Sequence, residues 1–141
     1  MTITLTDEAR RLIPIIEDET DATVRDCVVD EENDRLLVVV KPGEMSQAIG
    51  PGGRTIQGLE SELGRDIKLV EDAEDAETFV ANALAPAAVY NVTISENDDR
   101  LAYVEVDNHD RGVAIGKDGK NIAAARTLAA RHFDIDDIEL T

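Results

Sequence analysis

The chain has 141 residues and a mass of 15.3 kDa, the size of one domain or of two very small ones, which excludes a large multidomain enzyme. Asp and Glu total 31 against 14 Lys and Arg, a net charge of −17, yet 43% of the residues are hydrophobic, so the chain is expected to fold. No apolar run approaches the roughly 20 residues of a membrane helix, and the N-terminal residues lack the pattern of a signal peptide. These features predict a cytoplasmic protein with no membrane partner.

The acidic composition has two interpretations. Only four of the 14 cations are lysine, aromatic residues make up 3% of the chain, and the carboxylates are spread along the sequence. Molar salt screens repulsion between carboxylates beyond about 3 Å, so a dense carboxylate surface is tolerable in a salty cytoplasm and keeps the protein in solution. The pattern favours a halophilic protein, and the alternative is an acidic surface that binds a partner.

Few residues could form a metal or redox site. Cys27 is the only cysteine, so the chain has no internal disulfide or thiolate pair, and its β-like surroundings predict a small buried side chain. His109 and His132 lie 23 residues apart, which argues against zinc, and His132 is expected to be a favourable cation at a helix end. No metal or other cofactor is predicted.

A nine-residue frame, A-I-G-x-x-G-x-x-I, occurs twice, from Ala48 to Ile56 and from Ala114 to Ile122, displaced by 66 positions. The run Asp-Arg-Leu at 34–36 recurs at 99–101 with a displacement of 65, which indicates that the two copies differ by one residue in length. The joining segment, residues 71–76, contains no Gly, Pro or Ser, so the halves are expected to pack together. This organisation predicts two domains, at residues 1–71 and 72–141.

The predicted elements follow the same order in both halves. The first half has a helix from Thr6 that Pro14 should kink or shorten, strands over 23–29 and 36–40, helices over 45–49 and 54–63, and a strand over 67–70. The second half has a helix over 78–84, strands over 88–95 and 101–106, helices over 110–115 and 120–132, and a strand over 135–140. Each half is therefore αββααβ, an α+β fold in which a glycine loop joins two helices.

The two glycine loops, Gly50-Pro51-Gly52-Gly53 and Gly116-Lys117-Asp118-Gly119, are the candidate binding sites. A G-x-x-G turn places backbone amides outward at the start of the second helix, and these donors together with the helix dipole favour a phosphate. One such loop could be a plain turn, but repetition of its flanking residues favours a shared function. Residues 108–133 hold five cations and two acids, a net charge of +3, and residues 41–68 hold four of each, a net charge of zero. The rest of the chain therefore carries −20. The two segments that contain the loops thus lack the excess of negative charge that would repel a phosphate.

The two αββααβ units with their G-x-x-G loops resemble tandem type II KH domains packed together, and the whole chain is similar to the family of archaeal NusA-like transcription factors. The resemblance implies a non-enzymatic protein that binds single-stranded RNA, about four nucleotides per module, and acts on elongation or termination through nascent RNA with RNA polymerase. In the second unit, the residues implied to bind RNA are Ile115, Gly116, Lys117, Asp118, Gly119, Lys120 and Ile122. In the first unit, they are Ile49, Gly50, Pro51, Gly52, Gly53, Arg54 and Ile56.

The resemblance also implies individual roles for these residues. Gly116 to Gly119 would hold the phosphates and Lys120 would add a contact, whereas Ile115 and Ile122 would line a groove under the bases or belong to the core. Pro51 stands where the family usually has a lysine. Scarce aromatic residues favour recognition by an aliphatic groove over base stacking.

No catalytic site is predicted. A P-loop would need Gly at position 114 and Ser or Thr at position 121, where the chain has Ala114 and Asn121. Among 31 acids no pair stands out as a general acid and base, so no small-molecule substrate is expected. Two other functions stay open, a KH protein of ribosome assembly or RNA decay and a KH-fold interaction module that does not bind RNA.

Overall fold

The computed structural model describes residues 3–141 and divides them into two compact units, 3–72 and 73–141. Within these residues, each unit has three α-helices and one three-stranded sheet in the predicted order αββααβ. None of the helices in the described part of the chain is long and apolar enough to cross a bilayer.

The first unit is built around a central strand. Its elements are α1 (Asp7–Thr20), β1 (Val24–Asp30), β2 (Arg35–Val40), α2 (Met45–Ile49), α3 (Arg54–Leu63) and β3 (Asp66–Glu71). β2 pairs antiparallel with β1 and parallel with β3. One face of the sheet packs against the helices in a hydrophobic core that contains Ile16, Leu36, Val38 and Leu59. Cys27 is 2% exposed in this core, which confirms the prediction of a small buried side chain.

The helix α1 starts at the predicted cap, because the Thr6 hydroxyl accepts a hydrogen bond from the Ala9 N–H at 3.1 Å. Pro14 was expected to kink or shorten this helix, and the prediction of a shorter helix is wrong, since α1 continues through Pro14 to Thr20. Pro14 is exposed. Because Pro14 has no N–H, the carbonyl of Arg10 has no helical hydrogen-bond donor. Water can donate to this carbonyl instead, since this side of the helix is exposed.

The second unit repeats the arrangement. Its elements are α4 (Ala76–Ala83), β4 (Val89–Glu96), β5 (Arg100–Val106), α5 (Arg111–Ile115), α6 (Lys120–Phe133) and β6 (Asp137–Leu140), with β5 as the central strand. α4 begins earlier than predicted, because the Asp75 carboxylate accepts a hydrogen bond from the Thr78 N–H at 2.8 Å. His132 lies in the last turn of α6 as expected, and its ring also packs against Phe79, with 5.1 Å between ring centroids.

The difference in length between the two copies lies in the hairpin. Val24 pairs with Val40 and Val89 pairs with Val106, and each pair is followed by a shift in strand register, so the two pairs are equivalent. The first pair is 16 positions apart and the second 17 positions apart. One extra residue in the second hairpin therefore changes the displacement between the copies from 65 to 66.

Candidate nucleic-acid interface

The two glycine loops have the same backbone conformation. Their first residues, Gly50 and Gly116, have φ of +78° and +79°, with ψ of 170° in both. The φ values at the third loop position are +62° and +56°, and those at the fourth are +78° and +72°. Each loop forms a short 3₁₀ turn between two helices, α2 and α3 in the first unit and α5 and α6 in the second. The repeated sequence therefore specifies a repeated structure.

The first glycine of each loop lies against the helix that follows. A Cβ atom on Gly116 would be 2.7 Å from the Cβ atom of Asn121, and a Cβ atom on Gly50 would be 2.1 Å from Oγ1 of Thr55. Real Cβ atoms do not approach other atoms so closely, and no other residue type readily adopts these φ and ψ values. The geometry of the turn therefore requires both glycines, whether or not a ligand binds.

Some of the loop amides are used inside the turn. In the second loop, the Gly119 N–H donates to the Gly116 carbonyl at 3.1 Å, and the Lys120 N–H donates to the Lys117 carbonyl. The first loop has the same two bonds. A phosphate would therefore have to use the amides at the second and third loop positions. Pro51, at the second position of the first loop, has no amide hydrogen.

Asn121 fixes the second loop to its surroundings. Its Nδ2 atom donates hydrogen bonds to the carbonyl oxygens of Leu84 at 3.1 Å and Ala114 at 3.2 Å. These bonds tie the start of α6 to α5 and to the residue that caps α4. In the sequence, Asn121 stands out only as the residue at the position where a P-loop would need Ser or Thr, and its structural role could not be predicted because Leu84 lies 37 positions away in the chain.

A groove of about 730 Å³ lies beside the second loop, between α5, α6 and β6. Its apolar lining consists of Ile115, Ile122, Ile138 and Leu140. Ile115 is 40% exposed, whereas Ile122 is only 6% exposed. Both isoleucines predicted in this unit therefore line the groove, and Ile122 belongs to the core as well. Lys117 is exposed at the loop, and Lys120 is half-buried at the start of α6.

Two arginines that were not among the predicted site residues also line this groove, Arg111 in α5 and Arg126 in α6. The Nε atom of Arg126 lies 2.9 Å from Oδ1 of Asp137, and its terminal NH2 group donates to the Ile138 carbonyl at 3.2 Å. The signal for Arg126 was present in the sequence, since it follows Ile122 by four residues and so shares its face of the helix.

The first unit presents a different set of side chains. Ile49 is 38% exposed and Ile56 is half-buried, while Pro51 and Arg54 are exposed. Glu60 stands in α3 where α6 has an arginine, and its Oε2 atom accepts a hydrogen bond from the Ile67 N–H at 2.8 Å. The first unit therefore has an acid where the second has a base.

The clearest change in pKa lies away from both loops. Burial and the guanidinium of Arg35 lower the pKa of Lys68, on β3, to about 8.

Among residues 3–141, no group of three or more His, Cys, Asp or Glu side chains is placed to hold a metal ion.

Comparison with known proteins agrees with this geometry. Residues 76–141 match the family model described as NusA-like second KH domain, and residues 11–74 match the KH domain model. A probable transcription termination protein NusA from Halobacterium salinarum is 63% identical over 141 residues, which is 100% of both chains. The chain belongs to the archaeal NusA family.

Other members of the NusA family and one solved structure agree with this assignment. The probable transcription termination protein NusA of Halococcus morrhuae is 57% identical over 99% of each chain. The crystal structure of APE1850 has a TM-score of 0.86 and 35% identity, and covers 97% of this chain and 100% of that chain. The predicted pair of type II KH domains is thus confirmed. Relatives from Halobacterium and Halococcus also support the interpretation of the acidic composition as halophilic.

Proposed function

We propose that this protein binds single-stranded RNA and acts as a transcription factor of the NusA type, on nascent RNA at RNA polymerase. The observation that carries the proposal is that the same loop geometry forms twice, each time between two helices. Both loops lie in segments without the excess of negative charge that the rest of the chain carries. Relatives named as probable transcription termination proteins support the role in transcription.

The second loop supplies the parts of a phosphate site. The amides of Lys117 and Asp118 are the donors that remain after the internal bonds of the turn, and the exposed Lys117 side chain adds a cation. A nucleotide whose phosphate lies at this loop would place its base over Ile115 and Ile122 in the groove. None of the described residues that line this groove is aromatic, which fits recognition by an aliphatic surface.

The aliphatic groove also suits a salty cytoplasm. The affinity for single-stranded nucleic acid falls with a log-log slope of roughly −0.7 per neutralised phosphate, so ionic contacts weaken as salt rises. Amide donors and apolar contacts are less affected by screening. We infer that backbone amides and aliphatic side chains supply most of the affinity, with Lys117 adding one short-range contact to a phosphate.

Binding of short labelled RNAs in molar KCl, followed by fluorescence anisotropy, tests the proposal. We expect the wild-type protein to bind, and we expect Lys117→Asp to lower affinity at least about tenfold, the effect of losing a charge-assisted hydrogen bond and adding repulsion. Arg10→Asp, an equal change of charge at an exposed position on α1, is the matched control. Unchanged affinity in a folded Lys117→Asp protein would contradict the loop assignment.

The alternative functions make different predictions. If the wild-type protein binds none of the RNAs, the chain is an interaction module instead. Purification of a tagged copy from cells, with and without nuclease, distinguishes the transcription role from ribosome assembly or RNA decay. We expect RNA polymerase subunits to copurify. Recovery of ribosomal subunits or nucleases in their place would contradict the transcription role.

A further inference from the structure

Glu60 and Arg126 occupy equivalent places in the two units. Each is the seventh residue of the helix that follows its glycine loop. Each bonds to the second residue of the edge strand of its sheet, Ile67 in β3 and Ile138 in β6. Glu60 lines a cavity of about 430 Å³ with Gln57, Ser61 and Gly64. The surface of the first unit that holds Ile49, Ile56 and Glu60 is named the first groove, only by its correspondence to the groove beside the second loop, which is named the second groove.

The two side chains bond to their edge strands with opposite polarity. Glu60 accepts a hydrogen bond from the Ile67 N–H at 2.8 Å through one carboxylate oxygen, and the other oxygen is a further acceptor. Arg126 donates to the Ile138 carbonyl at 3.2 Å, and its Nε atom forms an ion pair with the Asp137 carboxylate at 2.9 Å. The hydrogen bond to Ile138 engages one of its five N–H donors. At this position the first unit therefore offers an acceptor and the second unit offers donors.

Arg126 is positioned for contact with a ligand. Its side chain is 47% exposed, lines the second groove and lies on the same helical face as Ile122. A half-exposed ion pair such as Arg126 with Asp137 adds little to stability, but it holds the planar guanidinium in one orientation before a ligand arrives.

We propose that Arg126 and Glu60 give the two grooves opposite preferences for RNA bases. In the second groove, Arg126 selects a base with two adjacent acceptors, guanine, through its O6 and N7 atoms. In the first groove, Glu60 selects a base that donates from an amino group, with cytosine as the expected choice through N4. Bases in a single strand expose the edges that carry these atoms. The inference rests on the proposed RNA-binding function and names the bases that each groove takes.

Selection of RNAs from a random pool by the full chain in molar KCl tests the inference. We expect the wild-type protein to enrich a motif that contains a guanine and a separate cytosine. Arg126→Gln should lose the guanine preference and bind the selected RNA about 5- to 100-fold more weakly, the range expected for one bidentate contact to a base. Arg126→Lys keeps the charge but lacks the planar guanidinium, so it should keep only part of the guanine preference. Arg131→Gln, in the same helix but outside the groove lining, is the matched control.

Replacement of the selected guanine by 7-deazaguanine, which lacks N7, gives an independent readout. The wild-type protein should lose affinity for the modified RNA, whereas Arg126→Gln should bind both RNAs equally. Glu60→Arg should convert the cytosine preference of the first groove into a guanine preference.

Two results would overturn the inference. They are an unchanged guanine preference in a folded Arg126→Gln protein and an unchanged motif in a folded Glu60→Arg protein. Binding of RNA without any base preference would also overturn it, while leaving the proposed function in place. Failure of the wild-type protein to bind RNA at all would instead contradict the proposed function itself.

Discussion

Gly116 lies so close to Asn121 that a Cβ atom on residue 116 would be 2.7 Å from the Cβ atom of Asn121 and 2.8 Å from its backbone nitrogen. Gly116 also has φ of +79° and ψ of 170°, a region that is essentially restricted to glycine. This contact brings the end of α5 against the start of α6. It therefore sets where the exposed loop residues and the groove lie relative to each other.

Replacement of Gly116 by alanine should accordingly destabilise the protein by about 3 kcal/mol, because the new methyl group meets backbone and adopts a strained conformation. Gly119→Ala is the matched control. Its Cβ atom would meet nothing within 4 Å, although its φ of +72° is also unfavourable, so it should cost about 1–2 kcal/mol. Denaturant unfolding in molar KCl measures both values. Equal losses for the two variants would show that the close contact does not constrain the turn.

Folding should depend on salt. The net charge of −17 produces self-repulsion that dilute buffer does not screen, and the total stability of a small protein is typically only about 5–15 kcal/mol. We expect dialysis from molar KCl into dilute buffer to lower the melting temperature markedly or to unfold the chain, as followed by circular dichroism. A sample kept in molar KCl for the same time is the control. An unchanged melting temperature would contradict the halophilic interpretation.

Lys68 should make stability rise with pH under alkaline conditions. Its pKa in the folded protein is about 8. The unfolded value is about 10.4. Between these values the unfolded chain binds more protons, so the free energy of unfolding increases as pH rises from about 8 to 10. Partial solvent exposure of Lys68 limits this effect to the order of 1 kcal/mol.

Unfolding of the wild-type protein and of Lys68→Met, measured across this pH range, checks the effect of Lys68. The methionine variant cannot release a proton at this position, so the free energy of unfolding of the wild-type protein should rise relative to that of Lys68→Met as pH rises. Lys41→Met, at an exposed lysine, is the control and should leave the pH dependence unchanged. Parallel curves for the wild-type protein and Lys68→Met would show that Lys68 titrates normally.

The parts of the fold that the sequence predicted are those encoded by short segments. Helix and strand order, the Thr6 cap and both glycine loops depend on residues within a few positions of each other. Helix α1 continues through Pro14 because this residue faces solvent, and exposure depends on how the helix packs. A rule about proline alone could not anticipate that outcome.

The missed parts of the candidate site depend on contacts between distant residues. The Asn121 side chain is fixed by Leu84, 37 positions away, and Arg126 bonds to Ile138, 12 positions away. Neither bonding partner could be identified from the sequence, because the pairing depends on how the helices and strands pack in three dimensions. The helical spacing of Ile122 and Arg126 did indicate a shared face, but the charge inversion at Glu60 became informative only when the two units could be compared position by position.

The two loops should contribute unequally to RNA binding. They have nearly identical φ values at the fourth position, +78° at Gly53 and +72° at Gly119, and neither glycine has a close neighbour that a Cβ atom would strike. Aspartate at either position therefore introduces similar strain and the same negative charge. Lys117 offers an amide donor and a cation to a phosphate, whereas Pro51 offers neither.

We therefore expect Gly119→Asp to lower RNA affinity at least about tenfold, the scale of a lost charge-assisted contact, and Gly53→Asp to lower it by a few-fold at most. Both variants are compared in molar KCl, where residual long-range repulsion is screened within about 3 Å, after circular dichroism has shown that they are folded. Because the strain and the charge are matched, any difference reports the role of each loop in binding. An equal or greater loss for Gly53→Asp would make the first unit the principal RNA site and reverse the assignment.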